Sequence, residues 1–525
     1  MELRVFKNLF ITVAVILISS LSFGMKMSGP VKIKDGPTIR GAYGDGIHDD
    51  TKAIQAALDS VSSAGGGIIL FANGKYLTGP LVIESGDTLD VDSSGAILGT
   101  TDMASYYKPG ADTTQPPSSL QPLLTANHAD NIAIIGKGYI DGQGQEWWTE
   151  YKNGTISVRP RMFQPNHCNN ILLKDITLEN SPQFHFIPEW CDNVTVDSVT
   201  ILAPSNSPNT DGIDPATCHN VHITNCYIDN GDDDIALKSG HPDPADPNAA
   251  CTRIYISHCT FIHGHGVSIG SETGGGVDSL YVDSCTFNGT TNGIRIKSYR
   301  GNGGNVRGLH YSNLTMTGVK YPIYFSEYYP SIPSQSDPAQ PVTSLTPHFH
   351  DITVTNFTAT NSTYAGVVVG LPEMHMTGIK FNNVSISANT GLELRNASLD
   401  TINTSINVKS GSPIIYEIDG TITQVLNYES GNDVLNYSLL QNYPNPFNPS
   451  TTIEYSIPEA GTVTIKLYDI LGREVATLMN KNENAGYHTF VFNALQNNLS
   501  LTSGVYLYRI RAGNFTAARK LVFLK

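Results

Sequence analysis

Short apolar alternations run along most of this chain, and they repeat. Apolar residues at offsets 0, +2, +5 and +7 recur from Ile171, Val194, Val221, Ile254, Leu280, Leu309, Ile352 and Ile379, as in "ILLKDITL", "VTVDSVTI" and "VHITNCYI". Most starts lie between 23 residues (Ile171 to Val194) and 33 residues (Val221 to Ile254) apart. That period is too short for a βαβ unit with a full helix. It matches one coil of a right-handed parallel β-helix, in which each coil stacks on the last. Neighbouring coils then lie ~4.8 Å apart, and residues at equivalent offsets form columns. The pattern predicts an all-β chain whose main body, residues 25–426, is a parallel β-helix.

Upstream, "GAYGDGIHDDTKAIQAALDSVSSAGGG" predicts a short helix. Asp49 or Asp50 caps it, Ile54, Leu58 and Val61 share a face, and Gly65 to Gly67 end it. Such a helix covers the open first coil, whose unpaired edge would otherwise invite aggregation. Downstream, "NYESGNDVLN" (427–436) reads as a linker. Residues 437–525 then change to longer alternating strands, among them "STTIEYSIP", "GTVTIKLYDILG" and "GVYLYRIRAG", and predict a small β-sandwich. No catalytic constellation is visible in that region.

Composition narrows the setting. Only 15% of the 525 residues are charged and 48 are glycine, which suits a β-rich exported protein. A net charge of −15 excludes a general nucleic-acid binder, because neutralising phosphates needs a basic face. Residues 1–24 carry Arg4 and Lys7, then an apolar run from Leu9 to Leu21, then Ser22, Phe23 and Gly24: the order of a secretory signal peptide. The run falls short of the ~18 apolar residues of a membrane span. No span is expected once the signal is removed.

The seven cysteines test the repeat, since export first suggests disulfides. They fall instead into two columns. Cys168, Cys191, Cys218 and Cys251 sit three residues before a repeat start, and Cys226, Cys259 and Cys285 sit at offset +5, where other coils carry Ile176, Val199 and Leu314. A position that takes Ile, Val, Leu or Cys is an interior packing position. Stacked thiols are the expectation.

A second alternating strand occurs in several coils, starting at Ile213, Ile235, Val267 and Ile294. Two residues before these starts stand Asp211, Asp233, His265 and Asn292, so the first three are predicted to stack at one corner of successive coils. Alternation turns Ile294 and Ile296 inward, and Arg295 and Lys297 outward above Ala236, Ser268 and Gly270. Asp232 adds a third carboxylate at the rim. Any one Asp at a coil corner could simply satisfy turn backbone; six such residues on one face point to a site. Three close carboxylates cannot all ionise cheaply, so at least one should keep a proton and act as acid while another acts as base. Glycoside hydrolysis needs that pair.

At these residues the chain resembles the polygalacturonases of glycoside hydrolase family 28, whose "NTD", "DD", "GHG" and "RIK" occur here in that order over roughly residues 35–420. "RPRM" (159–162), "LENSP" (178–182) and "PIYFSEYY" (322–329) add to the likeness. The resemblance implies hydrolysis of α-1,4 links between galacturonic acid units of pectin, with inversion and without a cofactor. It implies Asp232 as general acid, Asp211 and Asp233 as the pair that activates water, and His265 as their tuner. Arg295 and Lys297 would bind the sugar carboxylate, Asn209 would fix substrate or Asp211, and Tyr329, rather than Tyr328, would line a subsite. Asp234 departs from the family, where Cys commonly follows the acidic pair. The insertion "HPDPADPNAAC" (241–251), with "GSETGGG" (270–276), looks more like bacterial exo-acting members than open-groove endo enzymes. The C-terminal "LLQNYPNPFNPSTTIEYSIP" and "SGVYLYRI" are similar to the sorting domain of proteins exported by the type IX secretion system. That likeness implies the secretion machinery as a partner and a secreted or cell-surface protein; a monomer is the separate expectation.

Two other readings fit a β-helix with acids in a groove. One is a metal-dependent pectate lyase, whose carboxylates hold Ca²⁺. The other is a non-catalytic glycan-binding β-helix.

Overall fold

The computed structural model describes residues 38–525 apart from 113–114, 242–247, 335–336, 419–420, 426–436, 440, 443–444, 495–500 and 525. The signal-peptide stretch 1–24, the linker 427–436 and most of the insertion 241–251 lie outside the described residues.

The repeat is a stack of parallel strands. Ile171 pairs with Val194, and the column runs on through Val221, Ile254, Leu280, Leu309, Ile352 and Ile379. All eight starts read from the sequence therefore stand one above another. The column also extends beyond them, to Ile132 below and Leu399 above. One extra residue in the turn around Gly136 moves the last apolar position of the lower coil from Tyr139 to Ile140, which hides its period. In the upper coil Thr401 and Thr404 replace apolar residues; Thr404 is buried and its hydroxyl donates to the Ile402 carbonyl at 3.2 Å.

Each lower coil enters its first strand through one left-handed residue. Asn131, Asn170, Asn193 and Asn220 hold it, with φ between 56° and 59°. Asn tolerates this region because its short side chain bonds locally. The amides also bond from coil to coil: Asn170 Nδ2 donates to Asn131 Oδ1 at 3.1 Å, and Asn220 Nδ2 to Asn193 Oδ1 at 2.5 Å.

All seven cysteines are buried and unbridged, as the columns require. The Sγ atoms of Cys226, Cys259 and Cys285 lie 3.2, 3.3 and 3.3 Å from the carbonyl two residues earlier. That acceptor should hold the cost of Cys259→Ser to about 1 kcal/mol, at the low end of the ~1–3 kcal/mol for burying a hydroxyl without a partner. Urea midpoints of the two proteins check this. Obligatory disulfides found by mass spectrometry would contradict the packing columns.

Helix α1 (Thr51–Ser63) forms where expected and packs Ile54 and Leu58 over the first coil, with Val61 partly buried beside them. Asp50 occupies the cap position, but its carboxylate accepts instead from Tyr43 N (2.6 Å) and Gly44 N (3.0 Å). It ties the incoming chain to the helix start.

The C-terminal strands form two antiparallel sheets with their own core, which includes Ile453, Val463, Ile465, Tyr508 and Ile510. The strand Glu474–Glu483 was not among those read from the sequence; its burial does not alternate cleanly. Among the described residues no helix is long and apolar enough to cross a membrane.

Candidate active site

Ile213, Ile235, Val267 and Ile294 pair in register, and Ile323 continues the column. Two residues before the first three stand Asp211, Asp233 and His265, at one corner of successive coils. The outward ladder of the same strands runs Ala236, Ser268, Arg295 and Tyr324. Small residues below the cation leave room for a groove.

The acidic corner is a tight turn held by buried Asn230. Its Nδ2 donates to the Asp233 carbonyl (3.1 Å) and its Oδ1 accepts from Asp232 N (3.2 Å). Close approach demands glycine on either side. A Cβ on Gly231 would lie 2.2 Å from the Ser207 carbonyl, and one on Gly266, where φ is +70°, 2.2 Å from that of Gly293.

Asp233 is the most heavily bonded carboxylate. Oδ1 accepts from Ser268 Oγ (2.7 Å) and Arg295 Nη1 (3.0 Å), and Oδ2 from Lys297 Nζ (2.7 Å). Asp232 is more open. Its Oδ1 accepts from Asp233 N (2.9 Å) and lies 3.1 Å from His265 Nδ1, which is 3.8 Å from Asp233. Asn209 Nδ2 reaches Asp232 Oδ2 at 3.4 Å, and Arg159 Nη2 holds the other end of that amide at 2.8 Å. Arg159 in turn lies 3.9 Å from the Tyr151 ring centroid. Tyr329 faces the two cations, its ring 5.3 Å from Lys297 Nζ. Tyr328 turns away, is buried, and donates its hydroxyl to Asp337.

Charge is divided unevenly over these groups. Burial alone would raise Asp233, but Lys297, Arg295 and His265 outweigh it and hold the carboxyl well below the usual range. Asp211 is pushed the other way, first by burial and then by the charge of Asp214, with Lys238 opposing. Burial lifts Asp214 itself to about 6 against the pull of Lys238. Burial and mutual repulsion thus favour a proton within the Asp211–Asp214 pair. Asp211 is enclosed with a second carboxyl, whereas Asp232 still meets water.

Comparisons with known proteins establish the family. The model of the glycosyl hydrolases family 28 matches residues 86–408. The chain belongs to that family. A model described as rhamnogalacturonase A/epimerase, pectate lyase-like, matches residues 38–98, and one for a secretion system C-terminal sorting domain matches 441–524. The sorting domain marks a secreted or cell-surface protein. An endo-polygalacturonase of Pectobacterium carotovorum subsp. carotovorum is 31% identical, over 66% of this chain and 87% of that one. An exopolygalacturonase of Zea mays is 32% identical, over 69% and 85%. Among solved structures, the polygalacturonase from Erwinia carotovora ssp. carotovora is 30% identical with a TM-score of 0.56, over 71% of this chain and 99% of that one.

Several residues of this glycoside hydrolase's groove were missed from its sequence. Asp214, Lys238 and Tyr324 stand on the outward face of the same stack of coils as Arg295. The alternation that placed Arg295 and Lys297, applied to "GIDPAT" and "DIALKS", would have found Asp214 and Lys238. Asp232, Asp233 and His265 present donor atoms within 4.8 Å of one another, a spacing a cation could use. Such a cation would have to displace Arg295 and Lys297 from Asp233.

Asp234 is fully enclosed. Oδ2 accepts from Gly266 N at 2.8 Å, Oδ1 has no hydrogen-bond partner among the described residues, and burial raises the group well above an ordinary carboxyl, with the Gly266 N–H opposing. A folded-state pKa above the unfolded one means stability that is complete below the unfolded value of ~4 and declines as pH rises toward the folded one. Asp234→Asn does not titrate, so its stability relative to the parent should climb as pH goes from 4 to 7. Denaturant titrations across that range check it; a constant difference would show that Asp234 is ionised when folded.

Proposed function

We propose that this chain is a polygalacturonase that cuts α-1,4 galacturonosyl links of pectin by direct displacement, with inversion. The observation that carries the reading is the placement of two cations, Arg295 and Lys297, in one groove with a column of carboxylates. An anionic sugar needs a cation for its carboxylate, and cleavage needs an acid and a base beside it. The similarity to both endo- and exo-acting polygalacturonases supports the substrate class.

Asp232, the most exposed of the three acids, donates its proton to the glycosidic oxygen as the bond from C1 to that oxygen breaks. Asp211 and Asp233 hold a water on the opposite face; its oxygen bonds to C1 and its proton passes to Asp211. Asp233, tied to two cations, is the weaker base. His265 lies against Asp232 and Asp233 and tunes both. Asn209, steadied by Arg159, orients Asp232, and Tyr329 lines the subsite beside the bound carboxylate.

One distance favours a second reading. One oxygen of Asp232 lies within 4.8 Å of one of Asp233, an approach compatible with the closely set carboxyl pair of a retaining mechanism. Retention would make Asp233 the nucleophile. Both its oxygens are already held by Arg295, Ser268 and Lys297, so water activated by Asp211 is the better nucleophile.

The presence of the insertion at 241–251 in the sequence supports exo- over endo-action. Residues 25–426 carry the hydrolase, and 437–525 the address read by type IX machinery. Reducing ends should appear from polygalacturonate in the presence of chelator, with short galacturonides released from the outset. A ladder of intermediate sizes would mean endo-action. An unsaturated product abolished by chelator would replace this reading with a lyase, and no release at all would leave a glycan-binding protein.

A further inference from the structure

Lys238 and Asp214 have no part in the roles above, yet they complete the surroundings of Asp211. Lys238 projects from the strand Ile235–Ser239 on the same face as Arg295 and Lys297, one coil above Ala216. Its Nζ lies 3.0 Å from Asp214 Oδ2 and 3.7 Å from Asp211 Oδ2, and 4.8 Å from the Phe184 ring centroid. The Asp211 and Asp214 carboxyls are within hydrogen-bonding reach of each other. Asp211 Oδ1 and both oxygens of Asp214 otherwise lack hydrogen-bond partners among the described residues. Two enclosed carboxylates facing each other cannot both stay ionised next to one ammonium. A single proton between them converts two facing acceptors into a donor and an acceptor.

We infer that Asp211 and Asp214 share one proton and act as a single base carrying one negative charge, with Lys238 as the positioning residue that holds that charge in place. When water is deprotonated, the proton taken up by Asp211 is matched by movement of the shared proton onto Asp214. The pair goes from one proton to two. Release of one of them to solvent restores it. Asp233 and Asp211 thus each have their own lysine, Lys297 on the upper coil and Lys238 on the lower.

The other charged or titratable groups around the pair do not supply the missing counter-charge. Asp232, Asp233 and, beside Lys238, Glu272 add only negative charge. The Arg159 guanidinium is committed to Asn209 and to the carbonyls of Pro182 and Pro208. His185 is buried; its Nδ1 meets the Asp211 carbonyl at 3.0 Å and its Nε2 accepts from Ser181 N at 3.3 Å, so the ring is neutral. Burial pushes it down to about 4, in keeping with that neutral form.

The inference rests on Asp211 as base, and the test separates the two. The readout is the acidic limb of kcat against pH. Lys238→Met should move that limb to higher pH by about 1 unit or more, the usual effect of an opposite charge lost within ~4–6 Å. Lys238→Arg should leave it in place. Asp214→Leu, which cannot share a proton, should move it in the same direction as Lys238→Met; Asp214→Asn, whose amide donates as a protonated carboxyl does, should not. Should Lys238→Met fail to fold, Lys238→Gln carries the same expectation. A uniform loss of kcat in Lys238→Met and Asp214→Leu with no movement of the limb would reduce these residues to packing and overturn the inference. So would an Asp214→Asn limb displaced as far as that of Asp214→Leu. If Asp211→Asn keeps its turnover, the base assignment itself has failed; if it is inactive while the Lys238→Met limb stays put, only the shared proton has.

Discussion

Asp232→Asn is expected to lower kcat by at least ~10²-fold while KM changes little. A general acid is typically worth 10² to 10⁴ in rate, because it matters only where the leaving oxygen gathers charge in the transition state. The substitution keeps the shape of the side chain, and an amide oxygen can still accept from Asp233 N, as Asp232 Oδ1 does at 2.9 Å. The fold of the acidic turn should therefore survive. Steady-state kinetics on polygalacturonate, with circular dichroism to confirm the fold, checks this. A variant that keeps most of its turnover would move the acid to another residue.

Lys297→Ala is expected to act twice. It removes a cation from the sugar carboxylate, which is present in ground state and transition state alike, so KM should rise. It also strips Asp233 of its closest partner, at 2.7 Å, in a setting where the Lys297 side chain is only 8% exposed. Breaking a buried ion pair from one side costs about 3–5 kcal/mol, and here the lower figure applies because Arg295 stays. The effect should depend on pH. Asp233 is held below its unfolded pKa, so the stability it contributes is present above ~4 and lost as pH falls through the folded value. The gap in stability between parent and variant should be widest near neutrality and close in strong acid. Denaturation at several pH values, alongside KM, checks both halves. Sequence alone suggested only the KM effect, because the ion pair with Asp233 bridges residues 64 positions apart.

Much of the architecture was legible because a β-helix writes its columns into the chain at nearly constant offsets. Ile171 to Ile379 needed only counting, and the acidic corner followed once the second strand was aligned on Ile213, Ile235, Val267 and Ile294. The outermost coils escaped where a turn gained a residue near Gly136 or where Thr took apolar positions after Leu399. In the site, the residue types that announce chemistry, Asp211, Asp232, Asp233, His265, Arg295 and Lys297, came together as counted. Asp214 and Lys238 did not stand out, because a lone Asp or Lys on an outward position ordinarily meets water. Only the structure reveals that Asp214 is buried and that Lys238 lies against two carboxylates. That a proton is favoured within the Asp211–Asp214 pair was beyond any count of offsets, since it depends on how little water reaches the two carboxyls.

The central claim is that water, activated beside Asp211 and Asp233, displaces the leaving sugar directly. Proton NMR of the first product released from α-linked oligogalacturonate, recorded before mutarotation, tests it most directly. Direct displacement predicts the β-anomer; an initial α-anomer would make one of the closely spaced carboxylates a covalent nucleophile and contradict the account.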